Sequence, residues 1–253
     1  MVASVLWWRG GDTDAYRWGF AVLLIPAIFT MIALLTARSR YPDPRSLAPA
    51  HAHSEEARHL GRPFVLYMVG VSLIGFGLAD WALLAFHLAG RGLLGDALVP
   101  VVYAAAMAAD GVAAVLVGHA FDRARSRGAA GLRVLAFTLV LSAASLPLVL
   151  LAGRAGALAG VALWAIGLGA TESIGKATVA TLSPPSRRGQ AYGIYYAVFG
   201  GAWWLGSIAI GALSDRSRVA AAAFGATALA LAALVMLAAE RNARGPTGIS
   251  PRA

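Results

Sequence analysis

The sequence has no cysteine and few charged residues, and each shortage excludes a class of protein. Without cysteine the chain cannot form a disulfide, a thiolate metal site or an iron–sulfur centre. Charged residues make up 13% of the 253 positions, about half of what a soluble domain of this length carries. Apolar residues make up 59% and fall into blocks of roughly 20, the length of a membrane-spanning helix. The net charge of +9 comes from arginines in short loops between these blocks, so we expect a lipid bilayer and no nucleic acid as partner.

The spacing of the apolar blocks predicts an all-α, polytopic membrane protein with seven transmembrane helices. The predicted domains are an N-terminal segment with a peripheral helix (1–37), a cytoplasmic linker (38–62), a six-helix bundle (63–240) and a cytoplasmic tail (241–253). The predicted spans are 18–37, 64–89, 97–120, 131–152, 156–182, 189–213 and 219–239.

The distribution of Lys and Arg predicts the orientation. Fourteen lie on the side of the linker and the C-terminus, six lie on the other side, and Lys176 lies within a span. The positive-inside bias then makes the C-terminus cytoplasmic, in a multi-pass protein of a bacterial inner membrane. In the linker, His51, His53 and His59 form either a sparse metal-binding tract or a solvated loop.

Ionisable residues inside the predicted spans are the candidate functional residues. Asp80 lies in span two, Asp110 in span three, and Glu172 and Lys176 in span five. Charge at this depth is costly, so we expect these spans to line a wet cavity, with Asp110 and Glu172 at matching heights, and spans one, four and seven to be peripheral. Two readings stay open for Lys176: it only neutralises Glu172, or the two form an exchanging network with Asp110. Asp80 is either a hydrogen-bonding or a functional residue.

Aromatic residues in span six offer a second candidate surface. Tyr195 and Tyr196 lie deeper than an interfacial aromatic belt, and they either line the cavity or serve ordinary helix packing. We find no metal-ligand spacing, nucleophile elbow or nucleotide loop, and therefore expect no enzyme, no cofactor and no metal.

A short pattern, G-x-x-x-D-R-x-R, ends both span three and span six, 93 residues apart. Its first copy starts at Gly118 and contains Asp122 and Arg123; its second runs from Gly211 to Arg218. Because three spans separate the copies, the second would be inverted relative to the first, giving an inverted 3+3 repeat.

Three stretches resemble the major facilitator superfamily. Gly118 to Arg127 is similar to its cytoplasmic loop motif, Pro184 to Ile194 to the entry of its eleventh helix, and Trp204 to Arg216 to the end of that helix. The resemblance covers most of the chain and assigns the seven spans to helices six to twelve. It implies a bundle that lines half of a central cavity and works by alternating access, with Gly118, Asp122 and Arg123 as a cytoplasmic gate motif. Arg125 and Ser126 depart from that motif, which implies a weaker latch or a different partner for it.

We therefore expect a truncated secondary active transporter that moves a small organic solute by alternating access. Its expected partner is a missing N-terminal bundle or a second copy. Three acids on the expected cavity-lining helices favour proton coupling. The alternative is a non-transporting membrane scaffold or subunit that needs a partner bundle. Three explanations for the short chain stay open: a truncated gene product, a genuine fragment, or two half-chains that assemble.

Overall fold

The computed structural model describes residues 17–18, 21–40, 60–126 and 131–243, and among these it has helices and no strands. The helices are α1 Leu24–Arg40, α2 Arg62–Gly77, α3 Trp81–Gly90, α4 Val99–Ser126, α5 Leu132–Ser142, α6 Ser145–Leu151, α7 Arg154–Leu182, α8 Arg188–Arg216 and α9 Arg218–Ala243. Short 3₁₀ turns cover Asp96–Leu98 and Pro185–Arg187.

Six helical stretches of the described residues are long and apolar enough to cross a membrane. They are Arg62–Gly90, Val99–Ser126, Leu132–Leu151, Arg154–Leu182, Pro185–Arg216 and Arg218–Asn242. They correspond to the six predicted spans of the bundle, which confirms a multi-pass helical architecture.

The first predicted span, 18–37, corresponds to α1, which belongs to a separate compact unit, Met1–Ser54. This helix has 17 residues and none of them is buried. At a rise of about 1.5 Å per residue it is about 25 Å long, a little shorter than a typical hydrocarbon core. The predicted linker 38–62, with its three histidines, lies largely outside the described residues, and so does most of the tail.

Two of the six spans are interrupted. Between α2 and α3 the chain is extended at Leu78 and Asp80, and the Asp80 carboxylate caps the first turn of α3. Between α5 and α6 two residues turn before Pro147, whose ring has no N–H and cannot continue the hydrogen bonding of the helix before it.

The helices of the larger unit pack in a regular scheme. The long helix α4 lies on α7, and α8 lies on α2. The last helix, α9, packs on α2 and on α5 and α6, while α5 and α6 also pack on α7. The core lies among these helices; its fully buried side chains include Tyr67, Ile74, Leu135, Leu139, Ile174, Leu229 and Met236.

Glycines bring the backbones of two helix pairs close together. A Cβ at Gly169 of α7 would overlap the carbonyl oxygen of Asp110 on α4. A Cβ at Gly206 of α8 would lie 2.6 Å from the Cα of Phe76 on α2. Small residues that allow such close approach are typical of helix packing in membranes.

Burial differs strongly among the helices. α7 has fourteen buried residues, whereas α4 has three and α8 has five. Spans four and seven, which we expected to be peripheral, are better buried within this unit than spans three and six. The physical reason is that α9 packs on α5 and α6, which also pack on α7, while α4 lies mainly on α7, and α8 lies mainly on α2 and α9.

Candidate functional site

The candidate site is a strip of α7 that stays exposed between α4 and α8. Glu172 and Lys176 lie on this strip, one turn apart, with side chains 54% and 46% exposed. Their neighbours Ile174 and Gly175 are buried. Lys176 Nζ lies 4.0 Å from Glu172 Oε2, so the predicted intrahelical ion pair is present. Because both side chains are about half exposed, the pair does not serve to neutralise charge on a buried face of the helix.

Asp110 joins this pair from α4. Its side chain is half-buried, and Oδ1 is buried with no hydrogen-bond partner in the part of the chain that the structure describes. The carboxylate is close enough to Glu172 and Lys176 to interact with both electrostatically. Since a buried acceptor without a partner is costly, this oxygen is suited to receive a proton or a ligand donor.

The heights of Asp110 and Glu172 differ slightly from our expectation. The backbone carbonyl of Asp110 lies against Gly169, which precedes Glu172 by three residues, so the backbones of the two acids are offset by about 4.5 Å along α7. The helix α4 itself extends to Ser126, six residues past the predicted end of span three. Hydropathy locates the apolar part of a helix, and the charged last turns of α4 lie beyond it.

A shallow groove of about 430 Å³ runs from the ion pair along α4. Its polar lining comes from His119, Asp122, Glu172, Ser173 and Lys176, and Gly118 forms part of its floor. A side chain at Gly118 would meet the hydroxyl of Ser173 at 2.9 Å, so the glycine allows α4 to lie close to α7 here. The groove therefore joins two predicted sets of residues, the charged pair and the first part of the gate motif.

The α8 side of the strip is aromatic. Tyr192 donates a hydrogen bond from its hydroxyl to the carbonyl oxygen of Lys176, at 3.0 Å. Tyr195 is 2% exposed, and its hydroxyl fills the space beside Gly175. Tyr196, by contrast, is 53% exposed. The two candidate tyrosines thus have different roles, because consecutive helical residues point about 100° apart: Tyr195 serves packing and Tyr196 faces outward.

Asp80 does not join the cluster. Its Oδ1 accepts a hydrogen bond from the backbone N–H of Ala82 at 2.9 Å and so caps α3. The carbonyl of Ala79, freed by the break, accepts a bond from the buried indole of Trp164 at 2.9 Å. The hydrogen-bonding reading of Asp80 is the one that the geometry favours, since both polar groups of the break are satisfied locally.

In the stretch that contains the predicted gate residues, the side chain that bonds to a neighbouring helix end is not one of those residues. Asp122 and Arg123 are exposed and form no ion pair within the described ranges. Instead Arg125, which departs from the family pattern, donates to the hydroxyl of Thr181 at the end of α7, at 2.9 Å. Its guanidinium also lies 5.7 Å from the centre of the Phe121 ring. Arg125 therefore joins the ends of α4 and α7.

An ion pair between a buried carboxylate and an exposed arginine at the same end was not predicted. Glu240 of α9 is 1% exposed; its Oε1 lies 2.9 Å from Arg133 Nε, and its Oε2 accepts the backbone N–H of Arg133 at 2.6 Å. The carboxylate thus caps the start of α5 as well as pairing with a side chain. The usable sequence signal was that both residues lie at predicted cytoplasmic span ends.

The described residues contain no group of three or more His, Asp and Glu side chains placed to hold a metal ion. The three histidines of the linker lie outside these residues.

Comparison with known proteins leaves the activity open. No family model matches the chain, and no solved structure matches it. Uncharacterized proteins of Mycobacterium bovis and Mycobacterium tuberculosis are 34% identical to it over 238 residues, covering 91% of this chain and 56% of each relative. The chain therefore spans about half the length of the curated relatives it matches.

Proposed function

We propose that this chain forms one six-helix half of a secondary active transporter of the major facilitator type, which moves a small organic solute by alternating access coupled to protons. One observation carries the proposal: a half-exposed ion pair, Glu172 and Lys176, lies well inside a membrane-spanning helix. Glu172 is eighteen residues after the start of α7 and ten before its end.

Lipid is an unsuitable neighbour for this pair. A charged side chain near the centre of a spanning helix costs about 2.5–3.5 kcal/mol on insertion scales. Asp110 adds a third ionisable group at nearly the same level. Intramembrane charges normally face a bundle interior or a water-filled cavity, so the strip on α7 is best explained as one wall of an aqueous cavity.

The helix packing is compatible with an inverted 3+3 repeat. When each of the first three spans of the bundle is matched with the corresponding one of the last three, the pair α4–α7 corresponds to the pair α8–α2. In both pairs a glycine allows the two helices to pack closely. The same exchange relates the packing of α9 on α2 to that of α5 and α6 on α7. In transporters built this way, the binding site lies near the midplane between repeats.

The three charges suggest how a proton could be coupled to solute. Lys176 Nζ lies 4.0 Å from Glu172 Oε2, and both residues interact electrostatically with Asp110. With a proton on one carboxylate, Lys176 would pair with the other; release of that proton leaves two anions sharing one cation. A cationic or hydrogen-bonding solute could then replace the proton. Glu172, Lys176 and Asp110 act here as binding residues, and Tyr196 as part of the cavity wall.

The second wall of the cavity would come from a partner bundle. The exposed faces of α4 and α8 flank the strip and present large side chains, including Val112, Leu116 and Trp204. A second six-helix bundle, from a longer chain or another copy, would cover these faces and enclose the polar strip.

Because the chain has no native cysteine, single cysteines can test for the cavity. We would place them at Val115 and Tyr196 beside the strip, and at Phe137 and Leu234 on α5 and α9, which are 53–65% exposed. In native membranes a water-soluble thiol reagent should label the first pair, because thiolates form in water and not in lipid. Labelling in SDS controls for the presence of each thiol. Equal labelling at all four positions would contradict an aqueous cavity on this face.

Transport itself can be tested in membrane vesicles loaded with a pH-sensitive dye. Candidate solutes are added in pools, and the expected result is a solute-dependent pH change that Asp110→Asn and Glu172→Gln abolish. Arg154→Gln, which changes an exposed charge at the start of the same helix and away from the strip, is the matched control. If the cysteines indicate a cavity but no solute moves protons, or if both carboxylate variants keep full flux, proton-coupled transport is refuted and the scaffold alternative gains support.

A further inference from the structure

A second hollow lies at the other end of the larger unit, where α3, α6 and α8 end and α9 begins. It consists of two adjoining cavities of about 470 and 450 Å³. They share the lining residues Arg91, Leu150, Ser214, Asp215 and Arg218. The second copy of the sequence pattern, Gly211 to Arg218, forms much of this wall, and the proposed transport function gives that copy no role.

The hollow is rich in positive charge. Arg91, Arg216 and Arg218 line it, against the single carboxylate of Asp215. No ion pair joins Asp215 to these arginines in the described residues. Arg91 is held in place by hydrogen bonds from its guanidinium to the carbonyl oxygens of Leu150 and Ala152, at 3.3 and 3.4 Å. The described lining therefore has three arginines against one carboxylate and a net positive charge.

Two further features suit an anion with several acceptor oxygens. His87 lines this region, and its Nε2 atom is buried and has no hydrogen-bond partner in the described part of the unit. The first turn of α9 begins here; the Ser217 hydroxyl accepts the backbone N–H of Ala220, while Arg218 and Val219 belong to the turn whose N–H groups have no helical acceptor.

The remaining lining is apolar and runs along the spans. Leu83, Leu84, Phe86, Leu146 and Ile210 continue the wall from the arginines toward the middle of the helices. Phe86 is 77% exposed, so this side opens outward from the bundle. The charged end coincides with the ends of four spans, at Gly90, Leu151, Arg216 and Arg218. That is the level of lipid headgroups.

We infer that this hollow, the arginine groove, binds the phosphate of an anionic phospholipid, with acyl chains along its apolar wall. Charge complementarity selects an anion, and the apolar continuation selects a lipid over a free phosphate. Arginine guanidiniums bind the oxygens of such a phosphate through charge-assisted hydrogen bonds. The inference does not depend on the transport proposal, because it concerns other residues at the opposite end of the unit.

The test is native mass spectrometry of the purified protein with phosphatidylglycerol or phosphatidylcholine, combined with thermal unfolding in the same lipids. Phosphatidylglycerol should bind and raise the Tm; phosphatidylcholine should do so much less. Each arginine near the headgroup contributes about 1 kcal/mol, so Arg216→Ala with Arg218→Ala should weaken binding about 25-fold. Arg154→Ala, an exposed arginine that does not line the groove, is the matched control and should change nothing.

A variant that binds the lipid more tightly gives a second test, because partial unfolding would not increase binding. Asp215→Asn removes the one carboxylate of the groove and should tighten phosphatidylglycerol binding several-fold. Unchanged binding in the double arginine variant, or equal binding of phosphatidylcholine, would overturn the inference. Displacement of the lipid by millimolar inorganic phosphate would assign the groove to a free anion and overturn it as well.

Discussion

The ion pair on α7 gives a measure of whether water reaches this part of the molecule. Lys176 Nζ and Glu172 Oε2 are 4.0 Å apart. At about 4 Å, two unit charges attract by about 1 kcal/mol in bulk water and about 4 kcal/mol at an effective dielectric constant of about 20. Exposed helix pairs of this spacing contribute only about 0.3–0.5 kcal/mol, since solvent screens them and side-chain order costs entropy. A wet cavity therefore predicts a small coupling energy.

The assay is a double-mutant cycle with Glu172→Gln, Lys176→Met and the two together, read as free energy of unfolding in mixed micelles by tryptophan fluorescence. We expect a coupling energy below about 1 kcal/mol that falls as salt is added. The chain contains its own comparison: Arg133 and Glu240 lie 2.9 Å apart, with the Glu240 side chain 2% and the Arg133 side chain 61% exposed. Because the Glu240 carboxylate is buried, solvent and salt screen this pair less, so its cycle should show the larger coupling.

The outcome separates two environments for Glu172 and Lys176. A coupling of several kcal/mol, insensitive to salt and similar to that of the comparison pair, would mean that the strip is sealed from water. The reasoning from half-exposed charges to an aqueous cavity would then fail, together with the transport proposal.

Three further predictions concern helix packing and the break in the first span. Gly169→Ala should destabilise by about 1–3 kcal/mol, because its Cβ overlaps the α4 backbone, whereas Gly111→Ala, with open space around it, should stabilise by about 0.5–1 kcal/mol; equal effects in thermal unfolding would contradict the close crossing. Trp164→Phe should lower the free energy of unfolding by about 1–3 kcal/mol, because the hydrogen bond to the carbonyl of Ala79 at the break is lost. Trp204→Phe, at an exposed position, should lower it by less than about 0.5 kcal/mol in the same measurement. Asp80→Ala should cost about 1 kcal/mol as a lost cap, and Asp80→Asn much less; loss of function in the Asn variant with stability intact would instead favour a functional carboxylate.

The sequence predicts the spans well because the thickness of the hydrocarbon fixes their length. The fifth predicted span, 156–182, agrees with α7 at Arg154–Leu182 to within two residues. Helix ends outside the membrane are less predictable, as α4 shows by continuing to Ser126. There the charged residues lower hydropathy without ending the helix.

The interruptions were harder to predict, because hydropathy stays high across them. Leu78 and Ala79 are as apolar as their neighbours, and only Asp80, a preferred N-cap residue, indicates a new helix start. Pro147 provides a similar signal for the turn between α5 and α6. Both signals are local and were available in the sequence.

Within the candidate site, the local part was predictable and the contacts were not. The spacing of Glu172 and Lys176 specifies their pairing on one helix. The approach of Asp110 depends on Gly169 bringing two helices together, and the Arg133–Glu240 pair joins residues 107 apart in the chain. Hydropathy places each of these residues along its own span but says nothing about which helices are neighbours.

The interruption at Asp80 divides the first spanning element into two rods of 16 and 10 residues, about 24 and 15 Å long. The longer rod is clamped by α8 and α9, while the indole of Trp164 tethers the joint to α7. A swing of the shorter rod would bend the backbone at a point where the ladder of helical hydrogen bonds is already open. The shorter rod can therefore change its tilt at small energetic cost while the longer rod stays in place.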